Sequence, residues 1–195
     1  MHHPRSAHWE AALRVVRYLK GHPGQGIILS SNSSLHLDAW CDADWAGCPL
    51  TRRSLTGWVI FLGGSPVSWK TKKQNVVSRS SAEAEYRSMA MTTCELKWIN
   101  SILSSFGFPH TQSMLLHCDS QSALHISQNP VFHERTKHIE VDCHYVCDEI
   151  TTSNLRALYV STNEQLADIF TKALGTRQFE HLLRKLGIRD LHAPP

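Results

Sequence analysis

The sequence predicts an α/β fold in which a five-stranded mixed sheet, three antiparallel strands and then two parallel ones, is flanked by helices. Three observations lead there. Residues 35–41, 57–62 and 66–70 have strand patterns and are joined by hairpin-type connections, one of them Gly63-Gly64. From Ser80 the apolar spacing becomes helical and stays so to Phe106. Beyond Met114, short apolar runs alternate with helical stretches, an order that builds parallel pairing.

Each element has its own justification. Residues 6–20 place Trp9, Ala12, Leu13, Val16 and Leu19 on one helical stripe that stops at Gly21-His22-Pro23-Gly24. Ile27-Ile28-Leu29 and a serine-rich turn follow, and the strand over 35–41 is expected to end at Asp42. The long helix carries Tyr86, Met89, Ala90, Thr93, Leu96, Ile99, Leu103 and Phe106 on one face and ends at Gly107-Phe108-Pro109. Residues 114–118 suit a strand buried on both faces, which delivers Asp119 into a helix over 120–127. Asn129-Pro130 breaks the chain, a charged helix is expected over 134–150, and 155–160 is the last strand. Ser161-Thr162-Asn163-Glu164 has capping-box spacing and predicts a helix that buries Leu166, Ile169, Phe170, Ala173 and Leu174, with Asp168 at the edge of that face. The expected organisation is an N-terminal helix and connection over 1–34, a main domain over 35–175, and a C-terminal helix and tail over 176–195.

Composition narrows the class only modestly. A chain of 195 residues can bury one substantial core, and a formal net charge of +3 permits a nucleic-acid partner without requiring one. Six cysteines with no Cys-x-x-Cys pair read as free thiols of a reducing compartment. Neither a signal peptide nor an apolar run of membrane length is visible, so a soluble intracellular protein without a membrane partner is expected.

The chemistry lies in four acidic contexts: Cys41-Asp42-Ala43-Asp44-Trp45, Ser80-Ser81-Ala82-Glu83-Ala84-Glu85-Tyr86, Cys118-Asp119-Ser120 and Leu166-Ala167-Asp168. Carboxylates that converge repel one another unless a divalent cation neutralises them, which implies magnesium and a phosphate-rich substrate. If the first and fourth sheet strands lie parallel and adjacent, Asp42 and Asp119 emerge side by side, within reach of an acid on the long helix. Ser80-x-x-Glu83 has capping-box spacing, so Glu83 has a structural task and Glu85 is the better ligand. Asp42 and Asp44 would share a face of a continuing strand, and Asp42 is preferred as the nearer to it.

Taken with Arg52-Arg53-Ser54-Leu55-Thr56-Gly57, Asp119-Ser120-Gln121-Ser122-Ala123, Thr136-Lys137-His138-Ile139 and Gln165-Leu166-Ala167-Asp168-Ile169-Phe170-Thr171-Lys172, these contexts resemble the successive motifs of the ribonuclease H domain of copia-type LTR retrotransposon polyproteins. The resemblance runs from about Leu35 to Leu174, and 9–23 resembles the segment that joins reverse transcriptase to that domain. Met1 is therefore expected to be an internal or newly acquired start. The resemblance implies a ribonuclease H-like fold and an endonuclease that cuts the RNA strand of RNA/DNA hybrids with two magnesium ions, manganese able to substitute. By resemblance the metal-binding and catalytic residues are Asp42, Glu85, Asp119 and Asp168. The implied partners are the RNA/DNA hybrid and the adjoining reverse transcriptase, and the implied location is a cytoplasmic retroelement particle or the nucleus. A second reading is a domesticated, non-catalytic module that keeps the fold and binds nucleic acid or protein.

Lys70, Lys72, Lys73, Gln74 and Arg79, just before the long helix, are candidates for gripping substrate phosphates, as are Ser120, Lys137 and, ranked below it, His138. His133, His138, Cys143, His144 and Cys147 could suggest zinc, but their spacing fits no recognised site, and His138 and His144 would not share a helix face. Two departures from the family pattern stand out: residues 160–164 lack the histidine usual before the last aspartate, and position 147 is cysteine where relatives tend to carry arginine.

Overall fold

The computed structural model describes residues 3–129 and 139–192. Three antiparallel strands, β2 (Leu37–Asp44), β3 (Leu55–Leu62) and β4 (Ser65–Lys73), open the main sheet, after a helix α1 (Ser6–Gly21) and a short strand β1 (Gln25–Ile27). Gly63 and Gly64 turn β3 into β4 with positive φ, a conformation that only glycine adopts without strain. Helix α2 (Ser81–Ser105) leads to β5 (Met114–Cys118), which pairs parallel to β2. Helices α3 (Gln121–Gln128) and α4 (Glu140–Thr151) precede β6 (Leu155–Tyr159), parallel to β5. The strand order β4-β3-β2-β5-β6 is the mixed five-stranded sheet that the sequence predicts.

Strand alternation divides the core. Leu37, Ala39 and Cys41 of β2 join Trp58, Ile60, Leu116 and the Tyr86, Met89 and Leu96 row of α2 on one face. On the other face Val59 and Phe61 meet Leu166, Leu182 and Leu186, with Trp40 packed alongside. Helix α5 (Thr176–Lys185) supplies Leu182, and a strand β7 (Ile188–Asp190) pairs antiparallel with β1 in a separate two-stranded sheet. The C-terminal stretch is thus a helix and strand that cover the second face rather than a helix and tail. Helix α1 buries none of its residues, and Trp9, Val16 and Leu19 of its stripe stand exposed.

Several elements depart from expectation for identifiable reasons. Strand β2 runs on to Asp44, so Asp42 lies inside it: pairing with β3 continues to Asp44 and Leu55, although pairing with β5 stops at Trp40 and His117. Phe106, expected on the buried face, is 73% exposed and lies just past the end of α2, as its C-cap. The described part of the fourth helix starts at Glu140, and 134–138 lie outside the described residues. The α-helix expected after Ser161 is instead two 3-10 turns, Thr162–Glu164 and Leu166–Phe170. The Ser161 side chain makes no capping bond, and only its carbonyl accepts from Glu164 N. The buried Gln165 side chain accepts from Ala167 N and donates to Cys41 O at 3.0 Å, pinning the segment to β2 partway along. Gly57, opposite Asp42 in β3, leaves room for it: a Cβ there would lie 2.6 Å from Thr171 Cγ2 and 2.8 Å from Phe170 Cβ.

If α5 belongs to this core, Leu182→Ala, which empties a fully buried site, should cost about 2–5 kcal/mol. Trp9→Ala on exposed α1 should stay within about 0.5 kcal/mol. Urea unfolding followed by circular dichroism measures both.

Candidate metal centre

Register brings the first two acids together. Trp40 of β2 lies opposite His117 of β5 in parallel pairing, so two residues further on Asp42 and Asp119 reach the same level. Asp42 is fully buried, and its backbone carbonyl accepts from Ser88 Oγ of α2 at 2.9 Å. Asp119 sits between β5 and α3 and accepts from Thr162 Oγ1 at 3.0 Å. Glu85 arrives from the N-terminal part of α2, and Asp168 from the second 3-10 turn; both are buried. Ligand atoms of Asp42, Asp119 and Asp168 lie within 4.8 Å of one another, as do those of Glu85, Cys118 and Asp119. Asp119 belongs to both groups, so the two form one cluster.

Burial and mutual repulsion mark the electrostatics. The Glu85 carboxyl is pushed up to about 10, first by burial and then by the charges of Asp42, Cys118 and Asp119. Its Oε2 is buried without a hydrogen-bond partner among the described residues. Burial raises Asp168 to about 6, with the Lys172 hydrogen bond pulling down and Asp42 pushing up. Lys172 Nζ lies 2.7 Å from Asp168 Oδ1 and 3.1 Å from Asp42 Oδ1, while the Thr171 hydroxyl donates to Asp42 Oδ2. Despite its burial, the ammonium is raised above its ordinary value by these two acids. A cluster rich in carboxylate oxygens, one of them buried and unpartnered, fits a hard divalent cation such as magnesium.

The neighbouring acids have other tasks. Glu83 accepts from Arg79 N at 2.7 Å, its own amide donates to Ser80 Oγ, and its carboxylate pairs with Arg87. Asp44 lies against Gly47 in the turn after β2. Among the basic candidates, Lys70, Lys72, Lys73 and Arg79 are exposed. Lys70 and Lys72 flank the ladder row Asp42–Gly57–Thr71, two strands or about 10 Å from the cluster. Lys70 lies over the Trp58 ring, and Lys73 donates to Cys48 Sγ. Gln74 is different: it is buried, donates to Thr56 Oγ1 and Ala84 O, and accepts from Ser78. Its side-chain amide is thus engaged by the scaffold, unlike the exposed basic candidates around it. The Ser120 hydroxyl is engaged in capping α3, accepting from Ala123 N. Lys137 and His138 lie outside the described residues.

Sequence reasoning passed over Lys172 and Thr171 as site residues, although Lys172 stands four residues after Asp168, a spacing that pairs charges on helical turns. Of the residues whose grouping suggested zinc, His133 and His138 lie outside the described residues. Cys143 and Cys147 are buried, with Cys147 Sγ donating to Ser127 O, and His144 faces outward.

No protein-family model matches the chain. Over its whole length it is 44% identical to the retrovirus-related Pol polyprotein from transposon RE2 of Arabidopsis thaliana, covering 13% of that protein. Over 97% of its length it is 36% identical to the corresponding polyprotein from transposon TNT 1-94 of Nicotiana tabacum, covering 14% of it. The chain thus spans a small part of the curated relatives it matches. Among solved structures, LC11-RNase H1, isolated from compost by a metagenomic approach, aligns with 76% of this chain and 99% of its own. The TM-score is 0.53 at 15% identity, a likeness of fold.

With its carboxyl raised from 4.5 to about 10, Glu85 contributes stability that is complete below about pH 4.5 and lost as pH rises towards 10. Burial and the neighbouring acids favour the protonated carboxyl near pH 7, and a divalent cation bound there would displace that proton. Calorimetric titration with Mn2+ in two buffers of different ionisation enthalpy should read about one proton released per chain, and no release would contradict a protonated Glu85.

Proposed function

Because the chain belongs, as a segment with a ribonuclease H-like fold, to the retrovirus-related Pol polyproteins of copia-type transposons, we propose that it is a magnesium-dependent endonuclease acting on the RNA strand of RNA/DNA hybrids. The observation that carries this reading is the convergence of Asp42, Glu85, Asp119 and Asp168 from four separate elements, with Glu85 Oε2 buried and unpartnered. These four would hold two magnesium ions, with manganese as a substitute. Such ions, when bound, make a water nucleophilic near neutral pH and offset charge on the scissile phosphate.

The chain's own residues supply the rest. Thr162 orients Asp119, Ser88 fixes the β2 backbone at Asp42, and Gln165 ties the Asp168 segment to β2, so the donors are positioned before substrate arrives. The exposed Lys70, Lys72, Lys73 and Arg79 offer a basic margin for backbone phosphates. Discrimination for RNA would rest on its 2'-hydroxyl groups. In the parent polyprotein an adjoining reverse transcriptase would help to hold the hybrid, since a net charge of +3 supports only weak, salt-sensitive binding.

The purified chain, given labelled RNA/DNA hybrid and Mg2+, should cut the RNA strand and leave duplex DNA intact. Asp119→Asn should reduce the rate by more than about 100-fold, beyond the roughly 10–100-fold due to an outer hydrogen-bond partner of a ligand. Cutting that survives this change overturns the site assignment, and hybrid binding without cutting by either protein points instead to a non-catalytic module.

A further inference from the structure

We infer that Lys172 is an internal competitor for the metal centre, an ammonium that clamps Asp42 to Asp168 and has to leave before a divalent cation can occupy those carboxylates. This inference deepens the metal-centre reading and rests on it. Its basis is an imbalance within the cluster. Both oxygens of the buried Asp42 are engaged by adjacent residues, Oδ1 by Lys172 Nζ at 3.1 Å and Oδ2 by the Thr171 hydroxyl. The same ammonium lies 2.7 Å from Asp168 Oδ1. Glu85 Oε2, by contrast, is buried and has no partner.

The cluster therefore has two unequal halves. On the Asp42–Asp168 side a chain-borne cation already stands between the two acids, and a second cation there would meet it at contact distance. On the Glu85–Asp119 side no ammonium is paired with either carboxylate among the described residues. Lys172 can move: its side chain is 33% exposed and ends a flexible four-carbon stem, so the ammonium can swing into water while Thr171 remains buried beneath it. In the absence of divalent cations Lys172 keeps the acids from driving their elements apart, and its departure opposes the tightness of metal binding.

Mn2+ binding to the full chain, by calorimetry and by electron paramagnetic resonance, tests this with Lys172→Met and Lys172→Arg. Lys172→Met should bind Mn2+ on the order of tenfold more tightly than wild type and melt at a lower temperature without divalent cations. Lys172→Arg, which keeps the charge, should stay near wild type in both. In the unaltered chain, the Lys172 ammonium resonance should be protected without divalent cations and move to the position of a solvent-exposed lysine at saturating Mg2+. Equal Mn2+ affinities for wild type and Lys172→Met, or a resonance unmoved at saturating Mg2+, overturn the displacement while leaving the metal centre intact. Absence of Mn2+ binding in all three proteins overturns both. Should Lys172→Met fail to fold, the wild-type resonance still decides.

Discussion

The parallel pairing of β2 with β5 is the constraint on which the acidic cluster depends. It brings two aspartates far apart in sequence to one level of one sheet, and the strand spacing of about 4.8 Å sets how closely their carboxylates approach. The other components hold that arrangement. Ser88 grips the β2 backbone at Asp42, and Gln165 grips it one residue earlier, at Cys41. Gln74, buried between β3 and the start of α2, links the strand that pairs with Asp42 to the helix that carries Glu85. None of these contacts touches a carboxylate, yet each fixes where one can go. The repulsion that remains is offset by the Lys172 ammonium between Asp42 and Asp168, and it helps burial push the Glu85 carboxyl towards its neutral form.

Much of this was legible in the sequence, and the residues show why. The period change at Ser80 and the apolar run ending at Cys118 are strong local signals, and they gave α2, β5 and the placement of Glu85 and Asp119. The choice of Glu85 over Glu83 rested on capping chemistry, and Glu83 does serve the N-terminus of α2 with Arg79, Ser80 and Arg87. Features set by distant parts of the chain were not legible. The last residues of β2 stay in the sheet because of β3, and the segment around Asp168 is pinned by a bond from the Gln165 side chain to the Cys41 carbonyl. Gln74 looked like a polar residue in a basic stretch, and only the fold reveals that its amide is consumed by the core. Lys172 escaped notice because a lysine beside acids is ordinarily a surface ion pair, whereas here one of its partners lies fully buried.

The pairing of β1 with β7 has a consequence for how the molecule is made. It joins Gln25–Ile27, near the start of the described chain, to Ile188–Asp190, near its end. A contact of that sequence separation forms late, because a nearly chain-length loop must close first. The five sheet strands are all available once Tyr159 has emerged, so Asp42, Glu85 and Asp119 can come together while the C-terminal segment is still being synthesised. Asp168 and Lys172 arrive afterwards, and the second face of the sheet is covered only when α5 and β7 dock. On a ribosome the chain would pass through a stage with the three earlier acids assembled, the lysine clamp missing and the apolar face of β3 open to water.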